Sequence, residues 1–515
     1  MSTKGIRVNQ EQDERATRTA TDWRLSTAEA EGVDPRGVRE LIDALDEHPD
    51  IEPHALIVVR HGAVVASAAW APYALDRPQL VYSVSKSFTS TAAAFAIDEG
   101  LLDLDTPVVD CFPEYADSIA PQSRPMLVRH LLSMATGHLA DMVVAFDDVE
   151  HPVRAFLAAA PERHPGSVFT YNQLATYTLA TIIQRRSEQR LSDYLRPRLF
   201  DPLGIPPLGW QQQPAGVDLG FSGLFAPPEA IAKLGLLYLN NGVWRGERLL
   251  PEWWVGQASS VHIDNATPGD PNAEHDDWAQ GYGFQFWRSR HGFRGDGAFG
   301  QFCLVLPEQE AVVAITAQTM DMQAELNLVW EHLLPAFGDA PLAPQDGGGE
   351  ALHGLARTLS FPAGLDSPSE WSDDIAGAYT VVESDAAQVA YPTLDRVGLT
   401  HAGDGWSLTL TEHSAAPGGA SRLWRVGADE WAVTEGAASG SPEVAVAVQG
   451  GGGTTAEGDR SLRIDVAFID TPHRLMLHLD PDHRTVTPEW FTRPLDFGGV
   501  DGLGAVPAGV LRSRR

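Results

Sequence analysis

A serine and a lysine lie three positions apart in VYSVSKSFTS, residues 81–90. Ser83 and Lys86 therefore share one face of the helix that begins here, where their side chains can approach each other. A serine hydroxyl needs a neighbouring base to act as a nucleophile. A lysine can be that base once burial and the field of a helix N-terminus lower its pKa. The spacing predicts nucleophilic attack by Ser83 with Lys86 as its partner.

The scarcity of lysine makes this pair informative. The chain has three lysines, Lys4, Lys86 and Lys233, among 37 Lys and Arg residues. Arginine stands almost everywhere else, but a guanidinium cannot serve as a neutral amine. Lys86 lies at the start of an apolar helix of small residues. A catalytic role for Lys86 is therefore favoured over the alternative that it is a surface lysine beside a helix-capping serine.

A tyrosine in HPGSVFTYNQ, residues 164–173, is a third candidate. Tyr171 lies at the start of an amphipathic helix, and a phenol close to an ammonium group can give or accept a proton. A tyrosine at such a position is more often a packed aromatic side chain. The occurrence of Tyr171 in the same sequence as the Ser83–Lys86 pair is what indicates a Ser-Lys-Tyr proton relay.

A glycine-rich segment, GFRGDGAFGQ (292–301), contains a literal G-x-G-x-x-G. A dinucleotide fingerprint must follow a strand and open a helix, whereas this segment runs into the strand-like QFCLVLP. Gly295 and Gly297 are instead expected to let the backbone lie against substrate. The backbone N–H of Ala298 is then expected to form an oxyanion hole with that of Ser83.

Together, these motifs resemble the serine β-lactamase-related hydrolases: class C β-lactamases, DD-peptidases and their esterase and amidase relatives. SVSK resembles the nucleophile motif, PG-x-x-F-x-Y the tyrosine motif, and GDGAFGQ the Lys/His-Thr-Gly motif on the edge strand beside the active site. The resemblance runs over roughly residues 20–338. It implies Ser83 as nucleophile, Lys86 as its partner and Tyr171 as proton shuttle.

Two positions depart from the family pattern. Gln173 stands where the family usually has Asn or Ser, and Gly295 replaces the usual Lys or His, beside Asp296. In the family that this chain resembles, a cation at that place helps to bind the carboxylate of penicillins and peptidoglycan stems. Its loss, with the negative Asp296 alongside, argues against β-lactamase or DD-peptidase activity. Arg294 is a candidate replacement cation. Asp296 is a candidate to attract a substrate amine, and Tyr282 is a further candidate for the pocket wall.

The predicted fold class is α+β. It comprises a β-lactamase/transpeptidase-like catalytic domain, with an antiparallel sheet flanked by helices, followed by an all-β barrel or sandwich. A hairpin is predicted to turn at His61-Gly62, and further strands at 281–290, 301–307 and 311–318. Helices are predicted at 88–100, 128–137, 171–186, 227–242 and 322–337, and Gly450 to Gly453 are expected to form a hairpin loop. The predicted segments are a flexible N-terminus (1–20), the catalytic domain (21–338), a linker (339–350), the β domain (351–500) and a tail (501–515).

Composition limits the possible partners. A formal net charge of −32 argues against non-specific binding of nucleic acid and against anionic membranes. No apolar run has the length of a signal-peptide core or a spanning helix, so a cytoplasmic protein is expected. Cys111 and Cys303 lie among apolar residues and are expected to be buried free thiols. No metal-ligand spacing occurs, and no cofactor is predicted.

The sequence thus predicts a hydrolase that cleaves an ester or amide of a small molecule through an acyl-enzyme on Ser83. Esterase activity and amidase or D-aminopeptidase activity stay open at this stage. An alternative is an idle scaffold of the same fold that acts as a binding protein, its β domain binding a partner or capping the pocket. A further possibility is that the β domain projects a loop into the site. The oligomeric state is not indicated.

Overall fold

The computed structural model describes residues 23–142, 151–344, 352, 359–360, 371–382, 390–403, 405–413, 420–427, 430–435, 444–454, 460–495 and 499–504. The predicted flexible N-terminus, 1–20, lies outside these residues, as do parts of the predicted linker and most of the predicted tail. The segment boundaries therefore stay predictions.

The first half of the described chain is built on a six-stranded sheet. Its strands and those of two small sheets are β1 (Ile51–Arg60), β2 (Ala63–Ala69), β3 (Gln79–Leu80), β4 (Gly209–Trp210), β5 (Leu224–Ala226), β6 (Val243–Trp244), β7 (Glu247–Arg248), β8 (Trp287–Arg288), β9 (Phe293–Gly297), β10 (Gln301–Leu306) and β11 (Ala311–Thr319). The large sheet has the order β2-β1-β11-β10-β9-β8, and every neighbouring pair is antiparallel. The predicted pairing of early and late strands is confirmed.

Helices cover both faces of this sheet. They are α1 (Pro35–Glu47), α2 (Ser85–Asp98), α3 (Val128–Leu132), α4 (Pro152–Ala158), α5 (Gln173–Ser187), α6 (Leu191–Leu195), α7 (Pro228–Leu239), α8 (Glu252–Ser259) and α9 (Met322–Leu328). Alternate residues of β1 point to opposite faces, so Ile57 packs in the core with α2, α5 and α7, and Val58 packs in the core with α1 and α9. Because both faces are covered, every residue of β1, β10 and β11 is buried.

The second half is a nine-stranded sheet. Its strands are β12 (Gly377–Val381), β13 (Leu394–Ala402), β14 (Gly405–Glu412), β15 (Ala420–Val426), β16 (Ala432–Thr434), β17 (Val446–Thr454), β18 (Arg460–Phe468), β19 (His473–Asp480) and β20 (Thr485–Trp490), in the order β15-β14-β13-β12-β20-β19-β18-β17-β16. A bridge from Gly427 to Gln449 brings the strand at one edge back to β17, so the sheet is a nearly closed barrel. This resolves the predicted barrel or sandwich in favour of the barrel.

One strand prediction and one loop prediction are wrong in detail. In the segment predicted as a strand at 281–290, the strand is confined to β8, because Gln285 has φ 63° and its buried amide donates to the carbonyls of Leu131 and Leu132. The predicted glycine loop at Gly450 to Gly453 lies in β17, paired with β18. A Cβ on Gly450 or Gly452 would meet the ring of Trp371 at 2.7 or 3.1 Å, so glycine makes room for this side chain.

The barrel packs on the sheet domain through the turn between β18 and β19, residues 469–472, and the start of β19. Asp470 accepts hydrogen bonds from the Leu80 backbone N–H at 2.9 Å and from the Arg77 guanidinium at 3.2 Å. Arg474 donates to Glu52 at 3.1 Å and to Asp465 at 2.7 Å. The segment that leads to Ser83 is therefore part of the contact between the two halves.

Both cysteines, Cys111 and Cys303, are buried and free, as expected from the sequence. Among the helices of the described residues, none is long and apolar enough to cross a membrane.

Candidate active site

Ser83 lies in a tight turn that leads into a buried helix. A 3-10 turn covers Tyr82–Val84 and α2 follows directly from Ser85. The small side chains of SKSFTSTAAAFA let α2 pack closely on all sides, and nearly all of it is buried. Ser83 itself is only partly buried. The fold therefore buries the partner lysine while leaving the serine open to one side.

Lys86 is 1% exposed and makes three hydrogen bonds. Its ammonium group donates to Ser83 Oγ at 2.9 Å, to Gln173 Oε1 at 2.7 Å and to the Phe221 carbonyl at 2.8 Å. Burial lowers the pKa of Lys86 to about 7, although Asp141 and Asp296 oppose this shift. An amine with such a pKa is partly neutral at neutral pH, as a general base must be.

Tyr171 lies over Lys86, with its ring centroid 4.7 Å from Nζ. Burial raises the pKa of the Tyr171 hydroxyl above its usual range, and hydrogen bonds with Ser83 and Trp287 oppose the shift. The phenol is therefore protonated at neutral pH and can donate a proton. The structure brings Ser83, Lys86 and Tyr171 together, as the sequence predicts.

Gln173, the first residue of α5, also reaches Lys86. Its backbone N–H donates to the Asp141 carboxylate at 2.9 Å. Asp141 thus fixes the start of α5 and places a negative charge near Lys86. Asp141 and the Phe221 carbonyl are not predicted from the sequence, because each approaches Lys86 from a distant loop that has no motif of its own.

Gly295 and Gly297 lie within β9, not at the entry to a strand. Side chains at positions i and i+2 share a face, and this face meets the nucleophile segment. A Cβ on Gly295 would come within 2.8 Å of Ser87 Oγ, and one on Gly297 would clash with the Val81 carbonyl. The glycines therefore bring β9 against the nucleophile turn. Contact of their backbone with a substrate stays a prediction.

Ala298 follows β9 directly and is partly buried against Leu80, Tyr82 and Phe299. The end of β9 lies close to the backbone of Val84, since a Cβ on Gly297 would be 3.2 Å from the Val84 nitrogen. The backbones at Ser83 and Ala298 therefore lie in neighbouring segments. An oxyanion hole formed by the two N–H groups stays a prediction.

The expectations for the charges on β9 are corrected. Arg294 is fully buried and donates to Asp296 at 2.9 Å, to Ser289 Oγ at 2.6 Å and to the Asp277 carbonyl at 2.8 Å. It is held in the protein interior and does not replace the missing substrate-binding cation. Asp296 is 9% exposed and already paired, so it is not an open anchor for a substrate amine. Burial raises the pKa of Asp296, and Arg294 opposes the shift.

Tyr282 supports the site from behind and does not line an open wall. It is 1% exposed and packs edge-on against Tyr171, with ring centroids 6.2 Å apart. Trp287 stacks on the ring of Tyr171 at 5.3 Å. These aromatic side chains fix the orientation of the Tyr171 phenol.

Within the described residues, no group of three or more His, Cys, Asp or Glu side chains is arranged to hold a metal ion.

Comparison with known proteins matches residues 38–334, more than half of the chain, to the profile of the beta-lactamase family. The chain is 26% identical over 330 residues to 6-aminohexanoate-dimer hydrolase from Paenarthrobacter ureafaciens. The aligned region covers 56% of this chain and 81% of that protein. It is 32% identical over 127 residues to penicillin-binding protein 4 from Amycolatopsis lactamdurans. This aligned region covers 24% of this chain and 33% of that protein. The matched part is thus a third of the second relative.

Among solved structures, a protein from Bacteroides dorei DSM 17855 proposed to be a β-lactamase superimposes with a TM-score of 0.50 and 16% sequence identity. The superposition covers 59% of this chain and 99% of that protein. At this identity the likeness concerns the fold alone, and it agrees with the antiparallel sheet flanked by helices described above.

Proposed function

We propose that this chain, which belongs to the beta-lactamase family, is a serine hydrolase that cleaves an ester or amide bond through an acyl-enzyme on Ser83. The observation that carries the proposal is the 2.9 Å hydrogen bond between the buried Lys86 amine and the Ser83 hydroxyl. It joins a nucleophile to a base whose pKa of about 7 allows it to take up a proton at neutral pH. The names of the relatives, a dimer hydrolase and a penicillin-binding protein, support the same class of reaction.

Acylation begins when neutral Lys86 takes the proton of the Ser83 hydroxyl. Oγ then attacks the substrate carbonyl carbon, and the electron pair of the carbonyl bond moves to its oxygen. The backbone N–H groups of Ser83 and Ala298 stabilise this oxyanion. When the tetrahedral intermediate collapses, the leaving alcohol or amine takes the proton of the Tyr171 hydroxyl, and Tyr171 recovers a proton from the Lys86 ammonium.

Deacylation repeats these steps with water in place of the leaving group. A water molecule gives a proton to the basic Lys86–Tyr171 pair as its oxygen attacks the acyl carbon. Collapse breaks the bond to Ser83 Oγ, which regains a proton from Lys86. The free acid leaves and the enzyme returns to its starting protonation state.

The charges around the site favour acyl groups without a carboxylate. Asp141 and Asp296 both place negative potential at Lys86, and the neighbouring cation Arg294 is buried and paired with Asp296. A penicillin carboxylate would meet this negative field without the cation that the family usually supplies. Neutral esters and amides are therefore the proposed substrates, and a small molecule is the proposed partner.

The test is a substrate panel assayed with wild type and Ser83→Ala. The panel contains short-chain p-nitrophenyl esters, D-amino-acid p-nitroanilides and nitrocefin. We expect Ser83-dependent turnover of a neutral ester or amide, and nitrocefin turnover far below it. Wild-type activity that persists in Ser83→Ala would refute the mechanism. Absence of both turnover and fluorophosphonate labelling in wild type would favour the idle scaffold instead.

A further inference from the structure

The barrel reaches the nucleophile turn through one buried histidine. His473, the first residue of β19, is fully buried. Its Nε2 lies 2.5 Å from the hydroxyl of Tyr82, the residue immediately before Ser83. Tyr82 and His473 are 391 residues apart in the sequence, so this contact exists only when both halves of the chain are folded together.

The hydrogen bonds define the tautomer of His473. Nδ1 lies 3.0 Å from the Thr492 carbonyl oxygen, which can only accept, so Nδ1 carries the hydrogen. Burial lowers the pKa of His473 to about 3, so the ring is neutral at neutral pH. Nε2 is then an acceptor, and the Tyr82 hydroxyl donates to it.

Tyr82 is held in an unusual backbone conformation. Its φ is 45°, a region that side-chain-bearing residues rarely occupy and that persists only where the surrounding structure imposes it. This conformation sets the direction in which the chain enters Ser83. A contact that fixes the Tyr82 side chain therefore also restrains the nucleophile turn.

The same histidine also contacts the residue that follows Ala298. Phe299, which follows Ala298, lies edge-on to His473 at 5.0 Å and to Tyr82 at 5.2 Å between ring centroids. Phe299 also has a left-handed backbone, with φ 68°. His473 thus contacts the residues next to Ser83 and next to Ala298 at once.

The β18–β19 turn reinforces this arrangement. Its residues accept hydrogen bonds from Tyr73, Arg77 and Leu80, all in the segment that leads to Tyr82. The barrel is therefore fixed along this segment, and His473 is its contact with the turn that carries the nucleophile.

We propose that His473 of the barrel is a positioning residue for catalysis, which aligns the Ser83 and Ala298 backbones through Tyr82 and Phe299. This inference rests on the proposed function. The barrel then completes the hydrolase site from behind the nucleophile turn, and its role differs from that of a loop projecting into the pocket. A misplacement of reacting groups by about 1 Å can cost 100-fold in rate, so a small shift of this turn is sufficient to be measured.

The experiment compares three histidine variants of the full chain with a p-nitrophenyl ester as substrate. His473→Phe keeps an aromatic ring but removes the acceptor for Tyr82. His473→Gln restores an acceptor close to the position of Nε2. His478→Gln is the matched control, because His478 lies on the same strand, has a side chain that is 41% exposed and pairs with Glu489.

We expect His473→Phe to lower kcat about 10- to 100-fold, with KM changed less than about threefold. His473→Gln should recover a large part of this loss, and His478→Gln should behave as wild type. Labelling with a fluorophosphonate, run to completion, counts the competent sites and separates a slower site from a smaller folded fraction. Thermal unfolding of each variant is measured in parallel.

Two outcomes would overturn the proposal. One is a wild-type kcat in His473→Phe. The other is an equal loss in both His473 variants, matched by a proportional loss of labelled sites, which would mean that the residue only stabilises the fold. Ser83-dependent turnover by wild type is established first, so a failure of the proposed function is recognised separately.

Discussion

The Lys86 side-chain nitrogen lies 2.9 Å from the Ser83 hydroxyl oxygen while it also contacts the Gln173 amide oxygen and the Phe221 carbonyl. A charged lysine would donate to all three oxygens. A neutral lysine has two N–H groups, which satisfy the two carbonyl-type acceptors, and its lone pair then faces the hydroxyl of Ser83. The same geometry thus holds the resting ammonium and orients the base.

The first prediction concerns the pH dependence of hydrolysis. The pKa of Lys86 is lowered to about 7, so kcat/KM for a p-nitrophenyl ester should fall about tenfold per pH unit below that value and level off above it. Lys86→Arg should lose at least about 100-fold, because a guanidinium stays protonated. Rates measured from pH 5 to 9 test both points. A flat profile, or an active arginine variant, would exclude Lys86 as the base.

The second prediction uses two neighbours of Lys86 to move its pKa in opposite directions. Gln173→Glu places a carboxylate beside the amine, favours the ammonium, and should shift the ascending limb to higher pH by about 1–3 units. Asp141→Asn removes a charge that raises the pKa of Lys86, so the limb should shift to lower pH. The pH profiles of the two variants are compared with wild type. Shifts of the same sign would contradict the assignment.

The third prediction separates the roles of Tyr171 and Lys86. The raised pKa of Tyr171 keeps its hydroxyl protonated, so its loss should matter most for a poor leaving group. Tyr171→Phe should lower amide hydrolysis by about 10²–10⁴-fold and p-nitrophenyl ester hydrolysis by clearly less. Tyr177→Phe is the control, because Tyr177 lies on α5 and its hydroxyl donates to the Gln213 carbonyl. Equal losses on both substrates in Tyr171→Phe would argue against proton donation to the leaving group.

The fourth prediction concerns the buried ion pair on β9. Arg294→Met leaves the Asp296 carboxylate without its partner and should lower the free energy of unfolding by about 3–5 kcal/mol. Adding Asp296→Asn should restore part of this loss, since no unpaired charge then stays buried. Urea unfolding of the single and double variants measures the coupling. Strictly additive effects would mean that the two side chains do not depend on each other.

Local sequence was sufficient to predict the Ser83–Lys86 pair, because a spacing of three residues at a helix start decides whether two side chains meet. Tyr171 and Gln173 came from a motif at the start of another helix. The β1–β2 hairpin followed from its β-branched residues and the His61-Gly62 turn, where both residues have positive φ.

Contacts between distant segments account for what the sequence did not reveal. Asp141, the Phe221 carbonyl and His473 reach the site from loops or strands without a motif. A run of glycines is typical of a loop, but Gly450 and Gly452 lie in a strand. Glycine is needed there because a Cβ would meet the ring of Trp371. From the sequence, Arg294 is a candidate cation for binding a ligand. In the structure it is buried and paired with Asp296.

The distance in sequence between Tyr82 and His473 has a consequence for synthesis. A ribosome adds roughly 5–20 residues per second, so on the order of ten seconds pass between the end of β11 and the emergence of β19. During this interval the nascent chain already holds Ser83, Lys86 and Tyr171 but has no His473 beside Tyr82. Under the proposed role of His473, a chain truncated before β19 would lack the contact that positions the turn of Ser83 and would hydrolyse substrate more slowly than the full chain.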